Sequence, residues 1–183
     1  MGLDMYLSRN LDQNGNVLSI TPQDELNNDA FAKLLKRATK SNVSYLQPSI
    51  NVNIAYWRKA NAIHQWFISH CADDVDDCQD ITVYIEDLHR LKDTCERILN
   101  APNDIALMGR LLPPQGGFFF GDTDLNDADT LNSYLESVKY TNNILAEEFK
   151  IADEFKKYKT PSPYNPEKSI TAIDIDYTYR ASW

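Results

Sequence analysis

Between Tyr56 and Phe67 the chain reads YWRKANAIHQWF, which packs two Trp, a Tyr, a Phe, an Arg, a Lys, an Asn and a His into twelve positions. Taken as a helix of about residues 55–71, this stretch sets Tyr56, Ala60, Ile63 and Phe67 on one apolar face. Trp57, Asn61 and His64 then fall at i, i+4 and i+7 on the adjacent face, flanked by Arg58, Lys59 and Gln65. An indole offers a stacking surface, a guanidinium a planar fork for phosphate or carboxylate, and an amide and imidazole give directional hydrogen bonds. That set suits a phosphorylated, ring-bearing ligand such as a nucleotide. Phe118, Phe119 and Phe120, in GGFFFG, are placed to roof it. The same aromatic stripe also fits an ordinary buried helix, and both readings stand at this level.

Catalysis is harder to argue. His64 as general base needs a second titratable group in the same cleft, and spacing assigns none, so no catalytic residue is named. GGFFFGDT (116–123) has the glycine spacing of a phosphate-binding loop, but Asp122 stands where that loop needs a lysine and would repel the phosphates. DTDLN (122–126) begins like a calcium loop, yet its sixth position is Asp127 instead of Gly and its twelfth is Ser133 instead of Glu. His70, Cys71 and Cys78 lack the paired spacing of zinc ligands. No metal site and no cofactor is expected.

The elements that must position these residues follow from periodicity. LDMYLSR and NVLSI alternate as two strands around Asn14-Gly15, a hairpin signal because both residues tolerate positive φ. Thr21 and Pro22 announce a helix carrying Phe31, Leu34 and Leu35. Residues 40–54 read as a loop with an extended end at INVNI. After the acidic DDVDD (73–77) come a strand at 81–84, a helix at 86–99 and a short helix near 103–112. Leu131, Leu135, Val138, Leu145, Phe149 and Ala152 mark one long helix near 127–158, with candidate caps among Asp122 to Asp129. At 1.5 Å per residue it would span about 48 Å. That exceeds the roughly 40 Å diameter of a compact chain this long, so the helix breaks, protrudes or packs on another subunit. A Pro-rich linker at about 160–168 leads to a strand, ITAIDIDYTYRASW. The expected fold is α+β: a small, mainly antiparallel sheet covered by several helices, in a single domain over residues 1–183.

Bulk properties bound the function. The 183 residues are 43% hydrophobic and 25% charged, enough apolar content for one core. A net charge of −9 argues against general nucleic-acid binding, because phosphate contact needs a basic face. No run approaches the roughly 20 apolar residues of a membrane span. The start, MGLDMYLSRN, shows no secretory signal. Three cysteines without framework spacing suit reduced thiols in the cytoplasm.

Taken together, the opening MGLDMYL, the YWRKANAIHQWF stretch, LLPPQGGFFFG and the ending YRASW resemble a family of small proteins found in phages, prophages and bacteria. Members of that family begin MGLDMY and carry a Y-W-R-K-x-N-x-I-H-x-W-[FM] segment and a GFFFG segment. The family pattern maps onto Trp57, Arg58, Lys59, Asn61, His64, Trp66 and Gly117 to Gly121. The resemblance implies a setting, phage-borne and cytoplasmic in the infected cell, more than a mechanism.

The expected function is therefore a non-catalytic binder of a small anionic or nucleotide-like ligand, which in a phage setting would sequester a host defence signal. A protein inhibitor docking a host factor through its acidic surface or long helix is the alternative from another class. A nucleotide-processing enzyme is the third, and self-association through the long helix is a further option.

Overall fold

The computed structural model describes residues 2–13, 49–162, 164–165, 167–171 and 173–183. The Asn14-Gly15 hairpin, the helix beginning near Thr21 and the first part of the 40–54 loop lie outside the described residues. Two ten-residue strands come first, β1 (Asp4–Gln13) and β2 (Ser49–Arg58), followed by α1 (Asn61–Cys71), β3 (Ile81–Val83) and α2 (Ile85–Leu99). Then come α3 (Ile105–Leu111), the 28-residue α4 (Ala128–Phe155), a small β4–β5 pair (Lys159–Pro161 and Ser169–Thr171) and β6 (Ile173–Ser182).

The main sheet is antiparallel throughout, in the order β2-β1-β6-β3. Period-2 alternation buries one face: Met5 and Leu7, Ala55 and Trp57, Tyr177 and Tyr179, Ile81 and Val83 all point to the core, whereas Tyr6 and Tyr56 meet as tilted rings on the exposed side. β6 pairs along the whole of β1 and carries β3 on its other side. The edge strand β2 is protected from edge-to-edge pairing in two ways. A bulge puts Ile54 out of register between Ala55 and Asn53, and the Tyr56 backbone N–H donates to the Tyr140 hydroxyl of α4. The architecture is α+β, a small antiparallel sheet with helices.

Among the described residues no helix is long and apolar enough to cross a membrane. α4 is unbroken from Ala128 to Phe155, about 42 Å at 1.5 Å per residue. Its buried side chains, Tyr134, Val138, Thr141, Leu145, Glu148 and Ala152, recur every three or four residues, so one stripe faces inward along almost its full length. Asp127 caps it, accepting from the Thr130 backbone N–H at 2.9 Å, and this bond holds the Asp127 carboxyl below its ordinary range.

Two side-chain clusters fasten α4 to the sheet. The Trp57 indole donates to Thr141 Oγ1 at 2.9 Å. Further along, Glu148 accepts from both Arg9, at 2.8 and 3.0 Å, and the Tyr177 hydroxyl, at 3.0 Å. Three interior tyrosines are buried enough to matter for stability. Burial first, and then Glu148, raises the Tyr177 phenol; burial and then Asp76 raises Tyr179; burial and then Cys95 raises Tyr134. Each folded-state value lies above the unfolded value of 10.0, so the linked stability is intact below pH 10 and is lost as pH rises towards the folded values. Urea unfolding should give a flat free energy from about pH 7 to 8 and a progressive fall above about pH 9, to which the Cys71 and Cys95 thiols, raised by burial from 9.0 to about 12, add below the phenols. Unchanged stability at about pH 11 would contradict the burial of these phenols.

Candidate ligand-binding cleft

YWRKANAIHQWF is not one helix. Tyr56, Trp57 and Arg58 end β2, Lys59 and Ala60 turn the chain, and α1 starts only at Asn61. The expected helix of 55–71 is therefore corrected to Asn61–Cys71, and Trp57 does not share a helical face with Asn61 and His64. The break has a definite backbone cause. Lys59 sits at φ +57°, a left-handed conformation that ends the strand without starting a helix, fixed by its N–H donating to the Leu3 carbonyl at 2.8 Å.

The side chains of the segment part accordingly. Trp57 is 3% exposed, Asn61 6% and His64 0%, and each spends its polar groups internally. Asn61 donates to the carbonyls of Phe120 and Asp122 at 3.2 and 3.0 Å. His64 joins Tyr179 through Nδ1 at 2.7 Å and Asp76 through Nε2 at 3.0 Å. The tautomer protonated on Nε2 donates to Asp76 and accepts from the Tyr179 hydroxyl, so both contacts are met. Gln65 donates to Ser69 on the surface. Arg58 and Lys59 alone in the segment are exposed cations, and no carboxylate among the described residues pairs with either.

GGFFFG folds as a tight turn, Phe120 N–H donating to Gly117 O at 3.1 Å with a bridge between Gly117 and Gly121. A Cβ at Gly117 would stand 2.6 Å from the Phe120 ring, and Gly121 adopts φ +95°, so both glycines are required by the turn. Phe120 is buried against His64 and Trp183, Phe119 packs partly on the core, and Phe118 projects 96% exposed. The quoted motifs thus converge: Leu3 on Phe119, Lys59 on Leu3, Asn61 on Phe120, His64 on Tyr179.

Beside the Lys59 turn lies a cleft of about 440 Å³. Its lining combines Arg58 and Lys59, Thr130, Ser133 and Ser137 of α4, the apolar Ile63, Leu125 and Val138, and the carboxylate residues Asp122 and Asp129. Of the residues expected to bind, only Arg58 and Lys59 are on its lining; Trp57, Asn61, His64, Gln65 and the three phenylalanines are not. Sequence reasoning missed the hydroxyl stripe. Its signal was present as 130, 133 and 137 at helical spacing, but only tertiary packing reveals what the stripe faces.

The volume falls in the range of small-molecule sites, roughly 300–1,000 Å³. By contrast the hollow beside His64, lined by Asp76, Cys78 and Tyr179, has no room for a water-sized molecule. His64 thus has two titratable neighbours but no substrate access. Burial pushes the Cys71 and Cys95 thiols up to about 12, which makes both poor nucleophiles. Among the described residues no group of three or more His, Cys, Asp or Glu is placed to hold a metal ion. Searches of protein-family models, curated proteins and solved structures return no match, so the site rests on its own geometry.

Lys59 allows stability and binding to be separated. A non-glycine residue in the left-handed region costs about 1–2 kcal/mol, and glycine is free of that strain. Lys59→Gly should therefore leave the thermal midpoint unchanged or slightly raised, while removing a cation from the cleft. A loss above about 1 kcal/mol would show that the lysine stem is needed for packing.

Proposed function

We propose that this protein is a non-catalytic binder of a phosphorylated, nucleotide-like small molecule, held in the cleft between the Lys59 turn and α4. The observation that carries the reading is the pair of exposed cations, Arg58 and Lys59, unpaired among the described residues and on the lining of a cleft that also carries Thr130, Ser133 and Ser137 of α4. Arg58 supplies a planar fork for phosphate oxygens and Lys59 a point charge. A local cationic rim can draw an anion in although the net charge is −9. The resemblance to small phage-borne proteins supports a role in the infected cell's cytoplasm, where holding a host signalling nucleotide would blunt a defence response. Calorimetry with nucleoside mono- and diphosphates and inorganic phosphate tests the reading. Saturable binding that weakens with salt is expected, and heats at background for every compound would overturn it.

A second reading, inhibition of a host protein, is favoured by one feature. Phe118 stands almost fully exposed at the tip of a rigid turn, the position of an aromatic anchor that fills a partner's pocket. Retention of a single host protein that is lost on Phe118→Ser would support this alternative.

A further inference from the structure

Arg58 and Lys59 are held against the same small residue. A Cβ built on Gly2 would stand 3.6 Å from Lys59 Cε and 3.9 Å from both Nε and Nη2 of Arg58. Strand alternation brings Arg58 there: it points away from the buried Trp57, onto the exposed face of the sheet beside β1. Lys59 would point the opposite way in a continued strand, but its φ of +57° turns the chain. Its stem also packs along Gly121, where an added Cβ would meet Lys59 Cβ at 3.8 Å and Cδ at 4.0 Å. The lysine stem therefore touches both glycines, and its cationic end and the guanidinium flank Gly2 together.

Two cations that share one notch repel each other unless anionic charge lies between them. Among the described residues no carboxylate supplies it. Asp4, the cross-strand neighbour of Arg58, accepts from the Tyr56 hydroxyl and makes no ion pair with the guanidinium. Asp122 and Asp129, on the cleft lining, pair with neither cation. A phosphomonoester, whose second pKa is about 6, carries close to two charges above neutral pH, whereas a diester carries one. Resting on the phosphate reading above, we propose that the cation pair selects a terminal phosphate dianion. A linear nucleotide with a free phosphate end is then preferred over cyclic and internal diesters. The dianion accepts from the Arg58 fork and the Lys59 ammonium at once, and its two charges answer both cations. A diester has one charge, so the repulsion between the cations is only partly relieved.

The test is calorimetry at about pH 8, where the monoester is fully ionised, with AMP, its 5′-methyl phosphodiester, 3′,5′-cyclic AMP and adenosine. Wild type, Lys59→Gly and Arg58→Ala are compared, with a thermal melt of each sample as the check on folding. AMP should exceed both diesters by about 10-fold or more, the range for one added bond to a charged group. Lys59→Gly and Arg58→Ala should each reduce that ratio to about 3-fold or less, because a single exposed cation gains little from a second charge. Equal affinities for AMP and the diesters would overturn the dianion inference and leave the phosphate reading intact. A ratio that survives in both variants would also overturn it, assigning the preference to the fit of the esterified oxygen instead of charge. Adenosine binding as tightly as AMP, or binding of none of the four compounds, would overturn both.

Discussion

Glu148→Ala should lower the unfolding free energy by about 3–5 kcal/mol, the largest effect of any single substitution named here. Glu148 is 2% exposed and Arg9 8%, so the pair lies out of water. Three bonds converge on the carboxylate: two from Arg9 Nη1 and one from the Tyr177 hydroxyl. Arg9 also lies over the Phe155 ring, 5.7 Å from its centre, while its Nε has no partner. Removing the carboxylate strands a guanidinium and a phenol in low dielectric, and that desolvation, more than lost attraction, sets the magnitude. The same logic makes a second expectation. The combination Arg9→Met, Glu148→Leu, Tyr177→Phe should recover most of the loss, because an apolar replacement leaves no uncompensated charge. Urea unfolding monitored by far-ultraviolet dichroism measures both. A loss below about 1 kcal/mol in the single variant would mean that water reaches Arg9.

Arg58→Ala should weaken nucleotide binding by about 1.5–3 kcal/mol, or roughly 10- to 150-fold in Kd, with stability almost unchanged. Its side chain is exposed at the cleft wall and pairs with no described carboxylate, so truncation leaves no buried group unmet. Arg58→Lys should restore only part of the affinity. A lysine keeps the charge but loses the two parallel N–H bonds that a phosphate accepts from a guanidinium. Charge alone would give equal affinity for Arg58→Lys and wild type, and direct recognition by the fork gives the intermediate value. Unchanged affinity in Arg58→Ala would remove this residue from the site.

Much of the fold was legible because its signals are local. α4 showed itself through Leu131, Leu135, Val138, Leu145 and Ala152, whose period matches a helix, and β6 through the alternation that buries Tyr177 and Tyr179. The 56–67 stretch misled because aromatic residues satisfy both periods. Tyr56 and Trp57 fit i and i+4 partners, yet they also continue the β-prone run INVNIAYW, which is where the chain uses them. What ends that strand is a left-handed lysine, and unlike Gly or Asn a lysine carries no sequence mark of that conformation. Of the candidate cleft, only Arg58 and Lys59 were legible. Arg58 and Lys59 were named from their chemistry, whereas Asp129, Ser133 and Ser137 are more than 60 positions away and become neighbours only when α4 packs on β2.

Titrating AMP into the isotopically labelled protein and following backbone amide shifts tests the central claim most directly. Saturable shifts confined to residues 58–63, 121–125 and 129–138 are the predicted result, absent when Arg58 and Lys59 are both neutralised. Shifts centred instead on His64, Asp76 and the carboxy-terminal Trp183, or none at millimolar nucleotide, would contradict a ligand cleft between the Lys59 turn and α4.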